Sequence, residues 1–173
     1  MNKMMRATTA ALALLATTGQ ALAAAKDPPC LTRQEASSLI LTILPGALKQ
    51  VTTACSKTLP ASAYLVRSGA AMVARYDAPA KAARPEAVAA LNKALAGDVK
   101  IDDSMFDLFS GTILSEMKVE KLSATQCANV SEMAEALEPL PPVNLAELFV
   151  AVFKLGLEAK AGEAPPFRIC EAN

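Results

Sequence analysis

"TRQEASSLILTILPGALKQVTTAC", residues 32–55, contains a helix start and the proline on which the path of the chain turns. Thr32 and Glu35 have the spacing of a capping box, in which the hydroxyl accepts the Glu35 amide and the carboxylate reaches back to the Thr32 amide. Leu39, Ile40, Ile43 and Leu44 then form one apolar stripe at helical spacing. Pro45 lacks an amide donor and disfavours helical geometry at Leu44, so the reading places a break or kink there. A second helix follows, with Leu48, Val51 and Cys55 on its inner face.

The same proline decides a cysteine pairing. The chain has four cysteines, Cys30, Cys55, Cys127 and Cys170, all downstream of the N-terminal apolar segment. None makes a Cys-x-x-Cys pair, so neither a redox-active dithiol nor a zinc ribbon has a local signature, and an even count in an exported chain predicts two disulfides. If Pro45 reverses the chain, Cys30 and Cys55 lie at the same end of a hairpin. If the helix ran on through Pro45 they would stand about 37 Å apart and could not bond. The hairpin reading therefore pairs Cys30 with Cys55, and the same logic lets the tail carry Cys170 to Cys127. Each bridge is worth roughly 3 to 4 kcal/mol in the chain-entropy model.

Outward from this stretch, proline and glycine punctuate a run of apolar helical stripes. Leu59-Pro60 ends the second helix, and Ser62 caps a third that runs to about Tyr76. Asp77-Ala78-Pro79 and Arg84-Pro85 bound a short connection, after which Val88, Leu91 and Leu95 line a helix stopping at Gly97. Asp102 or Asp103 begins another, with Phe106, Phe109, Ile113 and Met117 facing inward. Ser123 caps the next, whose stripe is Cys127, Val130, Ala134 and Leu137. Leu140-Pro141-Pro142 ends it, and a last helix over about 144–160 carries Leu145, Leu148, Phe149, Val152 and Leu155. With tryptophan absent and no period-two runs of β-branched residues, the expected fold is all-α, a disulfide-stapled bundle of six to seven short helices.

The N-terminus reads as an export leader. Lys3 and Arg6 precede a short apolar run at 10–16, and Ala21-Leu22-Ala23 places small residues at a cleavage site, so 1–23 is expected to be removed and 24–173 to form one domain. Cys30 follows Lys26-Asp27-Pro28-Pro29, which is no lipid-attachment site. The remaining chain holds 15 basic and 17 acidic residues, with no basic face to draw it to nucleic acid or anionic lipid. Its longest uncharged stretch, 36–48, is too short to span a bilayer. The compartment expected is the periplasm of a bacterium, with secretion as the alternative.

Catalytic readings are weak. The chain has no histidine, which removes Ser-His-Asp, Cys-His and His-ligated metal chemistry. Ser115-Glu116-Met117-Lys118 matches Ser-x-x-Lys without its companion elements and reads as a solvated helix turn. Asp98, Asp102, Asp103 and Asp107 miss the EF-hand spacing and read as acids favouring a helix N-terminus. Glu35 could join a distant acid in a carboxylate pair, though nothing in the sequence places one near it. Arg168 could meet a partner, but a tail held by Cys170 explains its setting. Phe106, Phe109, Phe149 and Phe153 serve either a core or a cavity for an apolar ligand. No catalytic residue, metal ligand or cofactor is therefore expected. The reading is an exported helical protein that works by contact with another envelope or secreted protein; the alternative is a periplasmic carrier or chaperone for apolar molecules.

Overall fold

The structure, a computed structural model, describes residues 29–95, 99–159 and 168–170. The leader, the stop at Gly97, Asp98, the end of the last helix at Lys160 and the tail prolines lie outside these residues. Five α-helices make up most of what is described: α1 Arg33–Cys55, α2 Tyr64–Ala94, α3 Asp103–Glu116, α4 Ala124–Leu137 and α5 Pro142–Ala159. A 3-10 turn, Val119–Lys121, joins α3 to α4, and two short strands, β1 Cys30–Leu31 and β2 Arg168–Ile169, pair in parallel. The all-α class holds, and the expected six to seven helices are five.

The count falls because three prolines sit inside helices. α1 runs unbroken through Pro45, and α2 through Pro79 and Pro85, which merges the helices expected on either side. An internal proline costs roughly 3 kcal/mol in a lost hydrogen bond and steric strain. Along α1 that cost is set against Leu41, Leu44 and Cys55, all buried, with Leu48 and Val51 packed on the same cluster. A buried leucine alone is worth about 1.5–3 kcal/mol, so breaking the helix at Pro45 would lose more than the missing bond. In α2 the flanking alanines are the strongest helix formers, and Lys81 and Pro85 lie on one exposed face, where water can reach the carbonyl that Pro85 leaves unpaired.

α1 is the hub. It packs most extensively along α2, receives α5 and α3 on its other sides, and meets the 3-10 turn near its C-terminal end. Two glycines permit close approaches: a Cβ on Gly69 of α2 would lie 2.5 Å from Thr52 Cγ2, and one on Gly46 of α1 would lie 2.6 Å from Leu114 Cδ1 of α3. By length and composition α1 could cross a membrane, but here it is the helix on which the others pack. Its main core unites Leu41, Leu44, Tyr64, Leu65, Met72 and Tyr76 with Leu145 of α5, while a smaller cluster joins Ala87, Leu91, Ile101 and Phe106 against Leu39.

The straight α1 overturns the pairing expected from a hairpin. Cys30 bonds to Cys170 and Cys55 to Cys127, with Cα separations of 5.0 and 5.3 Å. Cys30 precedes α1 and Cys55 ends it, so a continuous helix holds them a helix length apart. Each finds its partner across the fold instead. Cys55 meets the first turn of α4, and Cys30 meets the tail through β1 and β2, where Arg168 N–H donates to Pro29 O (3.1 Å) and Cys170 N–H to Leu31 O (2.7 Å). Sequence reasoning missed this strand pair, which is only two residues long on each side.

Caps follow the sequence except at α2. Thr32 and Glu35 form the capping box, with Thr32 N–H to Glu35 Oε2 at 2.7 Å and Glu35 N–H to Thr32 Oγ1 at 3.1 Å. Asp102 caps α3, and Ser123 with Gln126 makes a second box at α4. The expected cap at Ser62 is not used. α2 starts after Ala63, and its Leu65 N–H donates to the buried Ser131 Oγ of α4 at 3.2 Å, a cap supplied from across the fold.

Candidate functional site

The residues singled out for chemistry are mostly committed to structure. Asp102 accepts the Met105 N–H and the Ser104 hydroxyl, and these bonds hold its carboxyl below the usual range. Asp103 and Asp107 both engage Arg84 of α2, at 2.7 and 2.8 Å, and the Arg84 guanidinium lies 5.2 Å from the Phe106 ring centroid. Those acids thus belong to a clamp that fastens α3 to α2, and bonding first to Asp107 and then to Asp103 raises the Arg84 pKa further. Ser115 donates its hydroxyl to Thr112 O at 2.8 Å, and Lys118 lies beyond the helix in a left-handed conformation with φ of 47°. Both are exposed, as befits a solvated helix end. Among the described residues, no group of His, Cys, Asp and Glu is arranged to hold a metal ion.

Glu35 is also structural. Besides its cap it bonds to Lys93 of α2, with Oε2 at 2.8 Å and Oε1 at 3.1 Å from Nζ. Partial burial pushes its carboxyl up, but the Lys93 ammonium and the Thr32 N–H together pull it below its ordinary value. Nearby, Ser38 Oγ and Gln34 Nε2 donate to Glu86 at 2.9 and 3.2 Å, so the start of α1 is laced to the end of α2 by polar bonds.

The four phenylalanines divide. Phe106 fills the smaller core cluster, and Phe149 is exposed on α5 outside the cleft described next. Phe109 and Phe153 do face a common space, a cleft of about 410 Å³ beside the N-terminal half of α1. Its floor is Ala36, Leu39, Ile40 and Ile43 of α1, with Leu91, Ala94 and Leu95 from the end of α2. Phe109 and Ile113 of α3 form one wall, Val150 and Phe153 of α5 another, and Ile169 of β2 also lines the space. Every one of these side chains is apolar, and the lining surface exposes no polar atom. The cleft opens to solvent where Leu95, Phe109, Ile113 and Phe153 remain partly exposed.

The sequence stripe of α1 is thereby split between two tasks. Leu44 enters the main core with Leu41, whereas Leu39, Ile40 and Ile43 line the cleft, Ile40 also packing against the main core and Leu39 against the smaller one. The signal was present: residues 39–44 are apolar at five of six positions, too many for a single buried face, which implies a helix covered from more than one direction. Ile169 carried no such signal, because its place in the wall depends on the strand pair that holds it. Arg168, beside it, is exposed on β2. Comparison of the chain with protein-family models, with curated proteins and with solved structures finds no match.

Proposed function

We propose that this protein binds an apolar ligand in the cleft between α1, α3 and α5, as a non-catalytic carrier or chaperone. One observation supports the reading above others: a concave space of about 410 Å³ whose lining is wholly apolar. Small-molecule sites occupy about 300–1,000 Å³ and are predominantly apolar, whereas a core packed for stability alone leaves few voids larger than water. The two disulfides fit an oxidising compartment. Together with the leader-like N-terminus they support the periplasm as the place of action, or the medium outside the cell.

A neutral apolar fluorophore such as N-phenylnaphthylamine tests the reading. One dye should bind per chain with a blue-shifted emission, and Ala94→Phe, which fills the cleft from the end of α2, should abolish the signal while leaving the circular-dichroism spectrum unchanged. Absence of saturable binding to the folded wild-type protein overturns it.

A second reading, contact with another envelope protein, is favoured by the outer side of α5, where Leu148, Val152 and Leu155 are exposed at helical spacing. A photo-crosslinker at Val152 should then give one discrete adduct in the native envelope, and one at Lys57 should give none. Equal labelling from both positions would remove this second reading without touching the first.

A further inference from the structure

We infer that the cleft takes the tail of a single-chain amphiphile and leaves its head group in water; the inference rests on the apolar-ligand reading and narrows it to a chemical class. Among the described residues that line the cleft, none presents a donor or acceptor to its interior. A polar group carried inward would lose its water without a partner, at a cost of several-fold to many thousand-fold in affinity, so the enclosed part must be hydrocarbon. At about 410 Å³ the space lies near the lower end of small-molecule sites, which suits one chain rather than two. The opening is bordered by Leu95, Phe109, Ile113 and Phe153, each partly exposed, so a chain can enter end-on with its polar terminus outside.

The lining side chains carry no charge that could choose the head group. Glu35 and Lys93, which adjoin the floor residues Ala36 and Ala94 in sequence, are bonded to each other and offset one another. Selection therefore falls on chain length and not on head-group charge. A fatty acid, the matching alcohol and a lysophospholipid present the same tail, and all three should bind.

Displacement of the neutral fluorophore by straight-chain alcohols, fatty acids and lysophosphatidylcholines, each below its micellar concentration, reads this directly. Affinity should rise roughly four-fold per added methylene until the cleft is full, and then level off. Exchanging the head group at fixed chain length should leave affinity unchanged. Ala94→Phe, which no longer holds the dye and is therefore titrated directly by calorimetry, should weaken the longest chains by roughly ten-fold or more. Ile43→Ala, which lengthens the space, should move the plateau to longer chains, and both variants are checked for an intact fold by thermal unfolding. If the fluorophore binds but affinity ignores chain length, or follows head-group charge, the amphiphile inference falls while the apolar-ligand reading stands. If alkyl chains bind equally well to Ala94→Phe, they sit elsewhere and the inference also falls. If neither fluorophore nor alkyl chain binds, both readings fall together.

Discussion

The two ends of α1 are secured differently. At the C-terminal end, Cys55 and Cys127 are fully buried among Tyr64, Leu65 and Tyr76, and the bridge is part of the main core. At the N-terminal end, Cys30 and Cys170 are half-buried, the strands they join are two residues long, and the ties around them are an ion pair and side-chain hydrogen bonds beside the buried Leu31. Loop length does not separate them. For sequence separations of 72 and 140 the chain-entropy model assigns about 4 and about 5 kcal/mol, nearly equal. What differs is the surrounding packing. One end is built to stay shut, and at the other the cleft opens.

The strongest way to break this contrast is to remove the buried bridge. Cys55→Ala with Cys127→Ala should lower stability by roughly 4–5 kcal/mol in urea unfolding, combining lost loop closure with lost packing of two buried sulfurs. Helix content should fall with it if the remaining core cannot fold alone. A loss below about 1 kcal/mol would place the stability elsewhere and dissolve the contrast.

Removing the outer bridge should cost less than its entropy suggests. Without it the ends can fray in the folded state and regain part of the lost freedom, so Cys30→Ala with Cys170→Ala should lower stability by roughly 2–3 kcal/mol at unchanged helix content. Ile169 then leaves its fixed place in the cleft wall, and affinity for the fluorophore should drop even where the protein is fully folded. In the wild type, graded dithiothreitol followed by alkylation and peptide mapping should label Cys30 and Cys170 before Cys55 and Cys127. Simultaneous labelling of all four would mean that the outer bridge is no more accessible than the inner one.

How much of this was legible turns on the same proline. The capping box at Thr32 and the caps at Ser123 and Asp102 could be read because each is a local bond between residues three apart, whereas the return bond from Gln126 that makes Ser123 a second box was not read. The pairing of cysteines could not, since Pro45 is a local penalty overruled by contacts that α1 makes with distant parts of the chain. Ser62 failed as a cap for the same reason: Ser131, 66 residues beyond Leu65, supplies the bond. Of the cleft, Phe109 and Phe153 were visible as candidates, but their separation from Phe106 and Phe149 needed the crossing of α3 and α5 over α1. Local rules decided the helices, and long-range packing decided which helices are one.

A smaller effect sharpens the description of the open end. α3 buries only Phe106 completely, and Arg84 holds its first turns through Asp103, Asp107 and the Phe106 ring. Both carboxylates are well exposed, which discounts the ion pairs, but Arg84 itself is mostly covered and bonds in a fork. Arg84→Ala should cost about 1 kcal/mol and speed amide exchange in α3 relative to α2. Arg84→Lys should recover little, because an ammonium cannot bridge both acids in the same geometry. Uniform exchange in the two helices would show that α3 is held by its apolar contacts alone.

The smallest expected effect is a dependence on pH at the same end. Glu35 has its folded pKa lowered by Lys93 and Thr32 against the opposing effect of burial. For an acid whose pKa is depressed on folding, the stabilising contribution is present above the unfolded value, about 4.3, and is lost as pH falls through the folded value. Glu35→Gln should therefore cost roughly 0.5–1 kcal/mol near neutral pH, and the gap to wild type should close as both proteins are taken to more acidic conditions. Urea midpoints measured across the acid range give the answer. A gap that stays constant with pH would assign the loss to the shape of the cap, and a gap that widens on acidification would mean that Glu35 is stabilised in its protonated form, contrary to its bonds with Lys93 and the Thr32 amide.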